Sequence, residues 1–400
     1  MRNDEARRCL LCKKPKCSLA GCPVGTPVPE CMALYREDRL SEAGRLLFNN
    51  NPLSAITSQI CDWKRFCYGH CVLNVKQIPV RWYEIEQEIS AAYLKTVSLS
   101  RKAAPSGKRV AVVGSGPAGI VGAVKLFEAG FDPVVFSSDD RLGGVLRYGI
   151  PPFRLAKDLL AEYERLFAEA GIEFRGGEKI SSAKELAASF HAVLVATGAE
   201  KPVRLGIPGE DSPSVVGALE FLRNPSDFDL GRKVIVIGGG NVAMDCCRTA
   251  ARLGVETWVY YRKTYENMPA NPFEVMEAQR DGVRIEVFKA PVEVRPEGVV
   301  FRDCENVTDP ETGRIVTRII EGTDALVGCD SLIPAISERP DFSILEGLEG
   351  TSEWGWPEAG EDGRLGSSNV FLAGDIILGP STVVEAVAGA KKAVEGICSL

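Results

Sequence analysis

The sequence predicts an α/β fold in which two Rossmann-like dinucleotide-binding domains follow a small helical, cysteine-rich domain. Three observations predict it. Arg109–Ile120 (RVAVVGSGPAGI) is a short apolar run leading into Gly114, Gly116 and Gly119, with a helical pattern continuing through Ala129. The same arrangement returns 124 residues later, with an apolar run at Lys233–Ile237 and Gly238, Gly239 and Gly240 after it. Upstream of both, the first 71 residues hold eight of the thirteen cysteines.

Four hundred residues, 45% hydrophobic and 25% charged, make an ordinary globular chain of two or three domains, each able to bury a core. The net charge of −7 is unevenly spread. Residues 1–103 carry 16 Lys and Arg against 10 Asp and Glu, whereas the remainder carries 31 against 44. The front segment has no long basic run, so compensation of an anionic inorganic centre explains its excess as well as nucleic acid does, and no nucleic-acid partner is expected. The N-terminus, MRNDEARRC, has no apolar core of the kind a secretory signal needs. No window approaches the ~18 to 20 apolar residues required to span a bilayer. Thirteen cysteines in such a chain point to thiolate ligands and free thiols rather than disulfides, and so to the cytoplasm.

In the front segment Cys9, Cys12, Cys17 and Cys22 come first, with Pro23 directly after, and Cys61, Cys67 and Cys71 follow; Cys31 stands apart. The first group shares the logic of the bacterial ferredoxin run, in which a fourth cysteine before proline ligates the other cluster, although the spacing here is wider. Seven cysteines cannot fill two four-thiolate sites, so one ligand must be of another kind. Zinc would need a second CxxC to pair with Cys9-x-x-Cys12, and none exists, which favours iron–sulfur. His70 reads either as a ligand or as a solvent-facing histidine. The spacing of Leu34, Leu40, Ala43, Leu46 and Leu47 predicts a helix over Met32–Phe48, and residues 82–97 predict another. The segment is expected to be thin in apolar core and stapled by metal. Residues 98–108 read as the linker into the first strand.

In the first βαβ unit Gly114 permits the turn, Gly116 lets the backbone approach a pyrophosphate, and Gly119 allows close helix–strand packing. The next strand, Pro133–Phe136, ends at Ser137, where such units usually carry an acid for the ribose hydroxyls. A serine cannot make the bidentate carboxylate contact, so binding there is expected to be weaker unless Asp139 or Asp140 substitutes. Arg141–Leu155, punctuated by glycine and proline, reads as an ordered loop rather than a helix. Lys157–Ala170 reads as an amphipathic helix and His191–Gly198 as a third strand ending in a turn.

The second unit predicts a strand at Lys233–Ile237, a turn at Gly238–Gly240 and a helix at Asn241–Leu253. Its next strand, Thr257–Tyr261, ends in Arg262 and Lys263, where an NAD-binding unit would carry an acid. Two cations there suit a 2′-phosphate, so NADPH is favoured over NADH; an exposed basic pair is the bland alternative. Alternating apolar residues over 282–327 predict antiparallel strands completing this unit. Cys329–Ala335 and Asn369–Asp375 read as further strands, and Thr382–Ile397 as a helix N-capped by Thr382.

These motifs together resemble one family. The cysteine order, GSGPAG at Gly114–Gly119, GGVLRYGIPPFRL at Gly143–Leu155, VATGA at Val195–Ala199 and IPGE at Ile207–Glu210 carry the first half of the likeness. GGGNVAMDCCRTAARLG at Gly238–Gly254, YRKTYENMPA at Tyr261–Ala270 and AGDIILGPSTVVEAVAGAKKA at Ala373–Ala393 carry the second. The chain resembles the small (beta) subunit of NADPH-dependent glutamate synthase, a module also found at the N-terminal end of dihydropyrimidine dehydrogenase and in the large subunit of NADH-dependent ferredoxin:NADP oxidoreductase.

The resemblance implies a disulfide-reductase-like flavoprotein fold with FAD, NADPH and two [4Fe–4S] clusters. It implies that Cys9, Cys12, Cys17 and Cys71 ligate one cluster, and that Cys22, Cys61, Cys67 and Glu86 ligate the other. It assigns Gly114, Ser115, Gly116, Pro117, Ala118, Gly119, Ser137, Gly143, Gly144, Arg147, Thr197, Gly198, Gly374, Asp375, Thr382 and Val383 to FAD. Gly239, Gly240, Asn241, Val242, Arg262 and Lys263 are assigned to NADPH. The sequence departs from the family at Ser137, at Ser337 where a glycine is usual, and at Asp62 where proline usually follows the cysteine; Cys17 and Cys22 also have one extra residue between them. The expected domains are 1–103 for the clusters, 104–228 with 328–400 for FAD, and 229–327 for NADPH.

The expected activity is an oxidoreductase in which hydride passes from NADPH to FAD and electrons leave singly through the clusters to a partner subunit. That partner would be of synthase, FMN-binding or ferredoxin-like type, with no acid–base triad needed in this chain. Disulfide reductases share the architecture but need a redox cysteine pair beside the flavin, and Cys246 and Cys247 fall instead on the second Rossmann helix. Competing expectations are the input subunit of a dihydropyrimidine dehydrogenase or of an electron-bifurcating complex, and, in a different class, a non-catalytic scaffold that has lost flavin.

Overall fold

The computed structural model describes residues 2–310, 313, 315–350, 352 and 355–400. The chain divides into two compact units: residues 1–147, 152–199 and 340–400 form one, and residues 148–151 and 200–339 the other.

The first unit begins with helices Arg2–Arg8, Lys16–Leu19, Val28–Arg36, Leu40–Asn50, Ser54–Ile60 and Trp82–Leu94. The single helix expected over Met32–Phe48 is two, broken at Glu37–Arg39, where Asp38 takes a left-handed φ of 59°. Periodicity alone hides the break, because both helices turn their apolar residues onto one core of Met32, Ala43, Leu47, Trp82, Ile85 and Ile89. Cys9, Cys17, Cys67 and Cys71 pack against the same core.

Behind it lies a five-stranded parallel sheet in the order Val370–Leu372, Ala192–Val195, Arg109–Val113, Asp132–Phe136, Glu173–Arg175. The edge strand Glu173–Arg175 is short and half-exposed, which is why no apolar run announces it. Arg141–Leu155 is mostly loop but contains one helical turn, Val145–Tyr148. Helix Val383–Cys398 packs on helix Pro117–Glu128 beside the sheet. It starts in a capping box: Thr382 Oγ1 accepts from the Glu385 N–H, and the Glu385 carboxylate accepts from the Thr382 N–H at 3.0 Å.

The helical segment is joined to this sheet domain by polar bonds at several points. The buried Tyr163 hydroxyl donates to the Pro52 carbonyl at 2.9 Å, and Lys125 Nζ to the Asn49 carbonyl at 2.7 Å. Arg165 donates to the Leu94 carbonyl at 3.0 Å, and Arg65 to Glu385 at 2.8 Å.

The second unit carries a four-stranded parallel sheet in the order Ser331–Pro334, Lys233–Ile237, Glu256–Tyr261, Arg284–Val287. The expected antiparallel strands are present from Lys289 to Gly328, with Gly298–Thr308 pairing Lys289–Arg295, Ile315–Ile319 and Ala325–Gly328. Arg284–Val287, read as part of that run, is instead a parallel edge strand.

The unit boundaries, at 199/200 and 339/340, differ from the expected 228/229 and 327/328. Val216, Phe221 and Leu230 fill the second unit's core, and Ser331–Pro334 pairs with Lys233–Ile237, so both flanking stretches belong to that unit. On the other side, residues 1–103 belong to the same compact unit as the sheet that follows them.

Replacing Tyr163 with Phe leaves the buried Pro52 carbonyl without its donor, which costs about 1 to 3 kcal/mol. Urea unfolding of Tyr163→Phe is expected to show a lower midpoint than the parent protein, with little change in slope.

Candidate functional site

Both glycine turns place a helix N-terminus at the carboxyl end of a parallel sheet, where open α/β folds bind ligands. In the first unit the backbone is crowded at two glycines and open at the third. A Cβ on Gly114, whose φ is 110°, would meet the Ala196 carbonyl oxygen at 2.2 Å, and one on Gly119 would meet the Gly114 oxygen at 1.9 Å. A Cβ on Gly116 would meet nothing within 4 Å. Gly116 is the N-cap of helix Pro117–Glu128 and supplies no side-chain cap, so the helix presents free N–H groups to an anion.

Several of the other residues assigned to FAD, Gly143, Gly144, Thr197 and Gly374, lie beside this turn. The Gly143 N–H donates to the Ser115 carbonyl at 2.9 Å, and Gly144 comes so close to Gly116 that a Cβ would lie 2.9 Å from its Cα. Gly114 lies against Thr197, and Gly374 faces Ala118. Thr197 Oγ1 is buried with no hydrogen-bond partner among the described residues, the condition of a hydroxyl waiting for a ligand. Asp375 accepts from the Ser381 N–H and hydroxyl, and its pKa is raised, chiefly by burial.

Two assignments look different in the structure. The Ser137 hydroxyl is buried, 2.8 Å from the Ser115 hydroxyl, and accepts from the Asp139 N–H. It ties the turn to the strand end rather than standing free. Arg147 donates to the Leu142 carbonyl at 2.6 Å and to Glu164 at 2.8 Å, so its guanidinium shapes the loop.

The second turn repeats the pattern. A Cβ on Gly238 would meet the Ala335 oxygen at 2.2 Å, one on Gly239 would meet the Tyr261 ring at 2.7 Å, and one on Gly240 nothing within 4 Å. Gly240 is the uncapped N-cap of helix Asn241–Arg252. Asn241 Oδ1 accepts from the Asn271 N–H, and the Ala270 N–H donates to the Gly239 carbonyl, which fastens the 267–271 loop beside the turn. Arg262 is exposed and Lys263 half-buried, and neither makes an ion pair among the described residues. Cys246 and Cys247 are fully buried in this unit's core, their thiols pushed up by burial, which suits packing rather than redox exchange.

Seven cysteines and Glu86 border two cavities in the helical segment. Cys22, Cys61, Cys67 and Glu86 line one cavity together with Trp63, Tyr83 and Val384. Cys9, Cys12, Cys17 and Cys71 line a second, which Cys67 also borders. The first cavity has no Lys or Arg in its lining. Burial pushes the Cys61 and Cys67 thiols well up, Glu86 pushes them further, and burial lifts the Glu86 carboxyl to about 8. Such a donor set is anionic only when a cationic centre sits among it. Among the described residues no three donors converge on a single-ion site. Sulfur and carboxylate donors around a cage, rather than about a point, fit a polynuclear cluster better than a lone zinc.

His70 lies outside both cavities, exposed, with Nδ1 2.9 Å from the Phe66 carbonyl. Cys31 stays apart, buried against the Ala43 carbonyl. Sequence reasoning missed Thr26, whose hydroxyl lies 3.2 Å from Cys22 Sγ, and the Trp63–Tyr83 stack at 4.6 Å beside the first cavity. Thr26 is local, four residues after Cys22, and could have been read from that spacing, whereas Trp63 and Tyr83 are brought together by packing.

Gly116→Val and Gly240→Val are expected to fold, because a Cβ at either position has no neighbour within 4 Å, and to lose FAD and nicotinamide-nucleotide binding respectively. Bound-flavin absorbance and fluorescence titration with NADPH read the two losses. Gly119→Ala is expected to be insoluble or strongly destabilised, since its Cβ has no room against the Gly114 oxygen.

Comparison with known proteins agrees with this geometry. Residues 108–390 match the pyridine nucleotide-disulphide oxidoreductase family, and residues 1–96 match dihydropyrimidine dehydrogenase domain II, 4Fe-4S cluster. The glutamate synthase [NADPH] small chain of Escherichia coli (strain K12) is 32% identical over 429 residues, covering 98% of this chain and 90% of that one. The corresponding small chain of Azospirillum brasilense is 32% identical, covering 99% and 88%. Among solved structures, Mycobacterium tuberculosis FprA in complex with NADPH shares the fold with a TM-score of 0.63 at 18% identity, covering 73% of this chain and 84% of that one. Thioredoxin reductase from T. acidophilum follows at 0.56 and 19%, covering 73% and 98%. With two dinucleotide cradles, two cysteine cages and these relatives, the chain belongs to the pyridine nucleotide-disulphide oxidoreductase family, as an oxidoreductase of the glutamate synthase small-chain type with an N-terminal 4Fe-4S domain.

Proposed function

We propose that this chain oxidises NADPH and delivers the electrons one at a time, through two [4Fe–4S] clusters, to a separate partner protein. The observation that carries the reading is a shared wall. Val384, in the first turn of the helix capped by Thr382, lines the cavity of Cys22, Cys61, Cys67 and Glu86, while Gly374, just upstream of that cap, packs against Ala118 in the first glycine turn. When bound, flavin takes up a hydride and releases single electrons, and the clusters conduct them.

The chain's own residues hold, orient and charge-match. The Gly114–Gly119 turn and the free N–H groups of helix Pro117–Glu128 take the flavin pyrophosphate, with the Thr197 hydroxyl as an unpaired donor beside it. Gly238–Asn241 takes the NADPH pyrophosphate, and Arg262 and Lys263 supply the cations for its 2′-phosphate. Cys9, Cys12, Cys17 and Cys71 hold one cluster, and Cys22, Cys61, Cys67 and Glu86 the other. The names of the small-chain relatives support a larger partner that performs any chemistry on an organic substrate.

Protein purified anaerobically is expected to contain FAD and iron and sulfide for two clusters, and to reduce a dye faster with NADPH than with NADH. Absence of flavin and iron would overturn the reading. Exchanging both Arg262 and Lys263 for Glu removes charge-assisted bonds worth roughly 1.5 to 3 kcal/mol each, so KM for NADPH should rise tenfold or more while KM for NADH stays nearly unchanged.

A further inference from the structure

Four large apolar side chains are more than 60% exposed among the described residues: Leu10 at 61%, Leu19 at 73%, Val75 at 82% and Ile78 at 69%. All four lie in the helical segment, in stretches of chain that contribute residues to the lining of one cavity. Leu10 lines the Cys9, Cys12, Cys17 and Cys71 cavity itself. Leu19 ends the short helix whose Lys16 and Cys17 line it, and Val75 ends the turn that begins at Val72, directly after Cys71. The Ile78 carbonyl accepts from Arg8, the residue before Cys9. Lys13, Lys14, Lys16 and Lys76 are interleaved with them, exposed and without an ion-pair partner among the described residues. Residues 9–19 and 71–80 contain no Asp or Glu.

Monomeric proteins seldom leave this much apolar side chain in water beside so much unpaired charge. The combination has a use at an electron exit. An apolar centre expels water between two redox groups, and a basic rim steers and orients an oppositely charged carrier.

We propose that this face, around the Cys9, Cys12, Cys17 and Cys71 cage, docks a one-electron carrier protein or domain whose own redox group sits in an apolar patch rimmed by Asp and Glu. This rests on the functional reading above and names its partner's surface. The charge pattern commits to an acidic carrier, since a basic one would meet four unpaired lysines. Each NADPH oxidised gives NADP⁺ and one proton to solvent, and its two electrons reduce two carrier molecules at this face; the reverse flow consumes two reduced carriers and one proton.

The test uses the anaerobically purified full chain with its cofactors, an acidic bacterial-type ferredoxin as probe, and basic cytochrome c as the counter-probe. Reduced ferredoxin is supplied with NADP⁺, and NADPH formation is followed. The parent rate should fall steeply as salt rises. A Lys13→Glu, Lys14→Glu, Lys76→Glu variant should lose about tenfold or more of the ferredoxin rate at low salt and gain rate with cytochrome c, supplied with NADPH. Leu19→Ser with Val75→Ser and Ile78→Ser should slow ferredoxin without abolishing the salt dependence. NADPH oxidation by an uncharged quinone dye, and iron and sulfide content, should be unchanged in both. Val75→Ser alone, at the most exposed position, serves if a multiple variant loses iron.

An unchanged ferredoxin rate in variants that retain dye activity and clusters overturns the proposal. So does sedimentation showing that the parent is a dimer which Val75→Ser dissociates, since the face would then bind a second copy of this chain. Parent protein lacking flavin or iron sinks the functional reading itself, a failure visible before any variant is made.

Discussion

Two backbone crossings set the geometry of this molecule. At Gly119 the helix runs so close over the Gly114 carbonyl that a single carbon would sit 1.9 Å away, and Gly238 makes a similar approach to the Ala335 carbonyl at 2.2 Å. Only hydrogen fits at these points, and that fit brings each helix start to the carboxyl edge of its sheet. The third glycine of each turn, Gly116 or Gly240, does the opposite work by leaving space. Crowding positions the anion site, and emptiness keeps it usable.

The helical segment solves a different problem. It has an apolar core of its own around Met32, Leu47, Trp82 and Ile85, yet its cysteines are held where burial disfavours their thiolates. Glu86 lies on the helix that forms that core, so its buried carboxyl is fixed by the same packing that folds the segment. The stacked Trp63 and Tyr83 rings line the same cavity, whose lining holds no Lys or Arg.

Local chemistry was legible in the sequence where it obeys local geometry. Glycine spacing gave both turns, Thr382 gave its helix start, and Arg262 with Lys263 marked the end of the following strand. The pairing of cysteines into sets came from family likeness, because spacing alone leaves the partner of Cys71 open. What stayed hidden depends on distant pairing. Ser331–Pro334 reads as a strand but only its register with Lys233–Ile237 says which sheet it joins, and that moved a unit boundary. The break at Asp38 was masked by an apolar period that two helices share. At Ser137 the sequence signals a missing carboxylate but not its replacement, a buried hydroxyl pair with Ser115 that stiffens the turn.

Glu385 serves two neighbours at once. One carboxylate closes the cap of the Val383–Cys398 helix and also grips Arg65, which lies in the loop between Cys61 and Cys67. Slack introduced at either end is therefore felt at the other, and thermodynamic reciprocity makes the two effects equal in size. The Cys61–Cys67 loop and the start of the C-terminal helix are thus tied through a single half-exposed carboxylate, a coupling of about 1 kcal/mol or less.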